Sequence, residues 1–122
     1  MNSEKSIELL NKSVADELAA VQQYMYFHFH LDDLGFTPLA KLFKRTAIME
    51  MGHVEALAER ILFLKGDVLM AAAEPVTTIT DPAKMLAKAI EMEQGVLMIT
   101  IVPRKPAGPT PMPYRSSFSS AS

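Results

Sequence analysis

The chain has 122 residues, enough for one small domain, and almost half of them are apolar. No apolar run approaches the roughly 20 residues that a bilayer-spanning helix needs, and the N-terminus lacks a basic-then-apolar signal pattern. Acids and bases are interspersed with a net charge of -2, and cysteine is absent, so nucleic-acid binding, disulfides, thiolate catalysis and thiolate-held metals are excluded. The composition predicts a soluble cytoplasmic protein without membrane or nucleic-acid partners, in which any metal is held by oxygen and imidazole.

From Ser3 to Leu34 apolar residues recur at helical spacing through Ile7, Leu10, Val14, Leu18, Val21 and Met25, with Ser3 placed as an N-cap and Gly35 as a stop. A second helix is expected over 37–65, with Thr37 as cap and Pro38 at the first helical position. Leu39, Leu42, Phe43, Ala47, Val54, Leu57, Ile61 and Leu64 carry its period, and Gly66 ends it. The connector around Gly35 is so short that the two helices must lie antiparallel, as half of a four-helix bundle.

Residues 67–80 break the period with Pro75 and the run Val76 to Ile79, before Asp81 and Pro82 open a third helix expected over 81–94. Fully extended, this linker reaches roughly 50 Å, against roughly 40 Å for the second helix. It can therefore cross the bundle and let the third helix run parallel to the second, which is a crossover connectivity rather than a simple up-and-down one. Beyond Gln94 the sequence changes to Gly95, the β-branched run Val96 to Val102, prolines at 103, 106, 109, 111 and 113, and a serine-rich end. That density of prolines predicts an irregular tail over 96–122 with room for one short strand. The expected organisation is all-α: a helical domain over 1–95, followed by the tail.

Chemistry-bearing residues fall on the apolar rows. In the first helix the row steps Ile7, Leu10, Val14, Glu17, Val21, Tyr24, His28, which puts a carboxylate in the core-facing stripe. The row of the second helix steps Leu39, Phe43, Thr46, Glu50, His53, Leu57, Ile61, and the third repeats the theme with Leu86, Ile90 and Glu93. A buried carboxylate needs compensation, and inward acids on three successive helices with one Glu-x-x-His point to a metal. Glu50 is placed to bridge two cations, Glu17, Glu93 and His53 to act as terminal ligands, and Tyr24 to stand beside them as a hydrogen-bonding or electron-donating neighbour. The plainer alternatives are a Glu17 ion pair with a base such as Arg45, Glu91 in place of Glu93 about 200° away around the helix, and methionines that only fill the core. His28 and His30 are read as a packed and a solvent-facing histidine.

The segments ADELAAVQQY around Glu17, IMEMGHVEALAERILFLKGD around Glu50 and His53, and ML followed by EME near Glu93 resemble the bacterioferritin branch of the ferritin-like family, over about residues 4–95 without gaps. The resemblance implies a ferritin-like helical bundle with a long crossover between helices two and three. It implies that Glu17, Glu50, His53 and Glu93 match the ligands of a di-iron centre and that Tyr24 matches the tyrosine next to it. Met51 matches the methionine that ligates haem at a subunit two-fold, and so permits haem without requiring it. By the same likeness the chain would be a ferroxidase if the centre is completed, oxidising ferrous iron with dioxygen or peroxide and storing ferric iron in a homo-oligomeric cage.

The departure from the family lies after Gln94. The fourth helix, with the second Glu-x-x-His, has no counterpart, since no histidine follows His53. A one-base shift of reading frame near Gly95 would explain this: Met98 followed by Ile99 must spell G-A-T across the codon boundary, an aspartate in the shifted frame. An intact mass of 13.5 kDa would instead favour a true truncation. The alternative function is then a non-catalytic metal-binding or helical interaction protein that needs a partner chain to complete the bundle. Rubrerythrin-type oxidoreduction is disfavoured, because no cysteines exist for an electron-transfer iron.

Overall fold

The structure, a computed structural model, describes residues 3–101, with side chains described as far as 93. It contains α1 (Ser3–Leu34), α2 (Thr37–Phe63) and α3 (Pro82–Ile101), with no strand among the described residues, so the all-α expectation holds. The described residues fall into two units that divide between Leu86 and Ala87.

In the first unit α1 and α2 pack as a hairpin. Val14 and Leu18 of α1 meet Val54 and Ile61 of α2, and Ile7, Leu10, Leu57, Val68 and Ala72 close around them. Nearer the turn the core becomes aromatic: Phe43 stacks on Tyr24 with ring centroids 5.7 Å apart and takes Phe27 edge-on at 5.5 Å. Each such buried side chain contributes about 1.5–3 kcal/mol relative to exposure.

The turn follows from one glycine. Gly35 adopts φ +89°, its N–H donates to the Asp32 carbonyl at 3.1 Å, and the Phe36 N–H donates to the Leu31 carbonyl at 2.9 Å. This is a Schellman closure, which uses the left-handed conformation that glycine adopts without a Cβ penalty. One residue is then left before α2, and Phe36 accepts from the Ala40 N–H at 2.9 Å as a cap without a side-chain bond. Thr37 is thereby drawn into the first turn and Pro38 falls second, one step inward of the expected capping arrangement. At its other end α2 stops at Phe63, two residues earlier than expected. Lys65 takes φ +68°, donating to the Leu62 carbonyl, while the Gly66 N–H donates to the Ile61 carbonyl, both at 3.0 Å. The residue in the left-handed conformation is thus Lys65. Gly66 is required for space, since a Cβ there would come within 2.8 Å of the Ile7 side chain.

The linker is laced to α1. Asn11 donates through Nδ2 to the Asp67 carbonyl at 2.9 Å and accepts the Leu69 N–H at 2.8 Å. The Ala73 N–H donates to the Ala15 carbonyl at 2.8 Å, and Gln23 takes both main-chain groups of Thr77 at 2.8 and 3.0 Å. Successive attachments at residues 11, 15 and 23 show the linker travelling in the direction of α1, back along the hairpin, as its reach allowed. Asn11 and Gln23 are buried, and each side-chain amide supplies one donor and one acceptor to a backbone that would otherwise lack partners.

Asp81 caps α3 by accepting the Lys84 N–H at 3.1 Å, and Pro82 opens the helix, as expected. The end differs: α3 continues through Gly95 and the β-branched run to Ile101, so residues 96–101 are helical rather than tail or strand. A single interior glycine costs only about 1 kcal/mol, whereas the first true block is Pro103, which disfavours helix in the residue before it. The remainder of the expected tail, including the proline- and serine-rich stretch and any fourth helix, lies outside the described residues.

Candidate metal centre

Three side chains predicted from the helical rows come together in the first unit. Glu17 of α1 and Glu50 and His53 of α2 each offer a ligand atom, all within 4.8 Å of one another. Glu50 and His53 share a side of α2 because three residues advance the helix by about 300°. Glu17 reaches them because the Schellman turn at Gly35 sets the two helices antiparallel. His53 Nδ1 lies 3.2 Å from Glu50 Oε1 and 3.5 Å from Glu17 Oε1, so one imidazole nitrogen faces both carboxylates.

Burial grades across the group. The Glu50 side chain is 11% exposed, that of Glu17 28% and that of His53 54%. The acids thus sit toward the core and the imidazole at the rim. Burial, then hydrogen bonding and repulsion from Glu17, push the Glu50 carboxyl up to about 7, with His53 opposing. Burial draws the His53 imidazole down, but the charges of Glu17 and Glu50 outweigh it and hold the group above its ordinary value. Glu17 Oε1 is buried without a hydrogen-bond partner. An unpartnered buried carboxylate oxygen beside a second carboxylate and an imidazole is a donor set suited to a divalent cation, and to iron or manganese in particular. The residues therefore fit a metal. Among the described residues the side chain that Glu17 meets is His53, at 3.5 Å, rather than the expected Arg45.

The other expected site residues are placed as follows. Tyr24 is buried two turns along α1 from Glu17, stacked on Phe43. Met51 is at the surface of α2. Glu93 is half-buried on α3 in the second unit, while its rival Glu91 is exposed and pairs with Lys88 at 3.4 Å. His28 is packed, its Nδ1 donating to the Ala40 carbonyl at 2.8 Å. His30 is half-buried rather than solvent-facing, because its ring lies 4.5 Å from that of Tyr26. Asn11 and Gln23, which hold the linker, were not singled out from the sequence. A polar residue on a helix flank carries no periodic signal that separates a buried clamp from a solvated surface.

Residues 7–98 match the ferritin family profile, described as a ferritin-like domain. The bacterioferritin of Desulfovibrio desulfuricans is 51% identical over 63 residues, which is 52% of this chain and 35% of that protein. The bacterioferritin of Rhodobacter capsulatus is 34% identical over 96 residues, or 78% of this chain and 59% of that one. Among solved structures, the D. desulfuricans bacterioferritin, whose diiron site is described in different catalytic states, has a TM-score of 0.75 and 36% identity over 79% of this chain and 56% of its own. The R. capsulatus bacterioferritin, with a metal-free dinuclear site and heme iron, has a TM-score of 0.72 and 32% identity over 78% and 59%. The chain thus spans less than two thirds of the length of these relatives. No described helix is long and apolar enough to cross a membrane.

Proposed function

The chain belongs to the ferritin-like family, and from that premise we propose that it binds iron through Glu17, Glu50 and His53 as part of a ferroxidase and iron-storage activity. The observation that carries this reading is the convergence of two carboxylates and one imidazole within 4.8 Å, with a buried Glu17 oxygen lacking any other partner.

Each side chain has a distinct task. Glu50, the most buried of the three, lies beside both Glu17 and His53, and its carboxylate is proposed to be shared between two cations. Burial and Glu17 hold a proton on Glu50 up to about pH 7, and that proton would pass to solvent when a cation binds the carboxylate. Glu17 brings an oxygen already stripped of water, which lowers the cost of exchanging solvent for a metal. His53 supplies the imidazole donor from the rim, where a ferrous ion arriving from solvent meets the group first. Iron, when bound, supplies the one-electron chemistry that carries electrons from ferrous ions to dioxygen or peroxide. Glu93 is proposed as a further carboxylate ligand, Tyr24 as a buried electron donor near the centre, and Met51 as a surface position that permits haem. Storage would follow from assembly into a homo-oligomeric cage, the arrangement that the bacterioferritin likeness implies.

A second reading, a non-catalytic metal-binding protein completed by a partner chain, has one observation in its favour: the sequence contains Glu-x-x-His facing the core once only. Ferrous-oxidation kinetics combined with particle sizing separate the two. Oxygen-dependent oxidation by a large assembly, abolished by Glu50→Ala with helix content intact, is expected for the first. Metal binding without oxidation would leave the second.

A further inference from the structure

We infer that Tyr26 is the surface end of an electron route that serves the proposed iron site, and that it returns an electron to Tyr24 when Tyr24 has given one up there. The inference rests on the iron-binding reading above and adds to it a residue and a purpose, the clearing of an oxidised tyrosine from the core.

The starting observation is an unbroken series of ring contacts in the first unit. Tyr24 stacks on Phe43 with centroids 5.7 Å apart, and Phe43 takes Phe27 edge-on at 5.5 Å. Phe27 lies 6.4 Å from Tyr26, and Tyr26 lies 4.5 Å from the His30 ring. All four spacings fall within the range of paired aromatic rings, about 4.5–7 Å. Helix geometry explains why the intermediate rings matter. Tyr24 and Tyr26 stand two residues apart on α1, which turns their side chains about 200° from one another. Phe43, entering from α2, and Phe27 close the gap that the helix opens between the two phenols.

Burial runs one way along the series. Tyr24, Phe43 and Phe27 are buried, whereas Tyr26 and His30 are half-buried. The sequence has no tryptophan and no cysteine, and of its three tyrosines Tyr24 and Tyr26 are the two among the described residues. A phenol gives up an electron far more readily than a phenyl ring does. Phe43 and Phe27 can therefore couple the two tyrosines without themselves being oxidised, which leaves one station sealed in the core and one that meets solvent.

The oxidant is hydrogen peroxide, whose O–O bond breaks when it takes up two electrons. A single ferrous ion at the cluster supplies one of them. Tyr24 supplies the other together with its hydroxyl proton, and one more proton from solvent completes two waters, leaving ferric iron and a Tyr24 phenoxyl radical. Tyr24 is 1% exposed, so dissolved reductants do not reach that radical. Tyr26 passes an electron to Tyr24 and releases its hydroxyl proton to water, which balances the proton that Tyr24 regains. A reductant of the ascorbate class then returns one electron and one proton to Tyr26 at the surface.

The test uses the full chain carrying Tyr114→Phe, so that Tyr24 and Tyr26 are its only phenols. It is loaded anaerobically with one Fe(II) per chain, confirmed by metal analysis, and mixed with hydrogen peroxide and ascorbate before freezing for electron paramagnetic resonance. Ascorbate should quench the tyrosyl signal rapidly in this parent. Tyr26→Phe, which keeps the ring and its packing, should preserve the signal and lengthen its life in ascorbate at least tenfold, because the radical is stranded on Tyr24. Phe43→Leu should lengthen it as well, with both tyrosines still present. A lifetime unchanged by Tyr26→Phe would overturn the inference, as would the absence of any tyrosyl signal from iron-loaded protein. In both cases bound iron would leave Glu17, Glu50 and His53 as a metal site. Failure to bind iron at all would end the iron reading together with the inference.

Discussion

Lys65 occupies a left-handed conformation, φ +68°, at the end of α2, where the Schellman bonds favour glycine. For a residue with a Cβ that conformation costs about 1 kcal/mol. Lys65→Gly should therefore raise stability by about 0.5–1 kcal/mol, read as a higher urea midpoint with unchanged slope. Gly66→Ala, one position on, should do the opposite by about 1–3 kcal/mol, since the added methyl would meet the stiff, branched Ile7 side chain. The sequence showed that a stop was needed here and marked it with Gly66, but it could not show which residue turns left-handed. That choice is made by the approach of Ile7 from a helix some sixty positions away in the chain. Glu17, Glu50 and His53 were legible for the converse reason. An acid on an apolar helical row contradicts its surroundings, and the contradiction is visible without any tertiary information.

At the scale of elements, the linker depends on two side-chain amides. Gln23→Leu leaves the Thr77 N–H and carbonyl without their partners, and Asn11→Leu does the same to the Leu69 N–H and the Asp67 carbonyl. Each substitution should destabilise the first unit by about 1–3 kcal/mol, with loss of amide protection in residues 67–77 exceeding that in α2. Helices α1 and α2 were readable to within two residues, because their period is long and regular and because Gly35 and Pro38 punctuate it. The sequence pattern ends α3 at Gln94, before Gly95 and the β-branched residues after it, whereas the helix runs to Ile101. Propensity penalties of a few tenths to 1 kcal/mol each do not stop a helix already propagating, whereas a proline does.

For the molecule as a whole, the cluster of Glu17, Glu50 and His53 makes stability depend on pH. In the metal-free protein Glu50 holds its proton to about 7, against 4.5 as its ordinary value, so the folded state binds that proton more tightly than the unfolded one. Stability is greatest below about pH 4.5 in this contribution and declines as pH rises through 7, by an amount on the order of 3 kcal/mol. His53, also raised, acts in the same direction, its contribution being lost as pH rises through its elevated folded value. The urea midpoint of the metal-free protein should therefore fall between pH 5 and pH 8, Glu50→Gln should flatten the fall, and saturating Mn(II) at pH 8 should restore the midpoint. A midpoint that rises over the same range would contradict the placement of Glu50.

The lacing of the linker has one more consequence. Its bonded N–H groups belong to Leu69, Ala71, Ala73, Thr77 and Ile79, every second residue, with Pro75, which has no N–H to offer, filling the one gap in that series. The even-numbered amides between them have no partner among the described residues. Deuterium should therefore enter this stretch in an alternating pattern, fast at even positions and slow at odd ones. Leu69, Ala73 and Thr77 donate to α1, so these three slow positions become a built-in gauge of how often α1 releases the segment, whereas Ala71 and Ile79 donate to the linker's own Leu69 and Thr77 carbonyls and report its local turns.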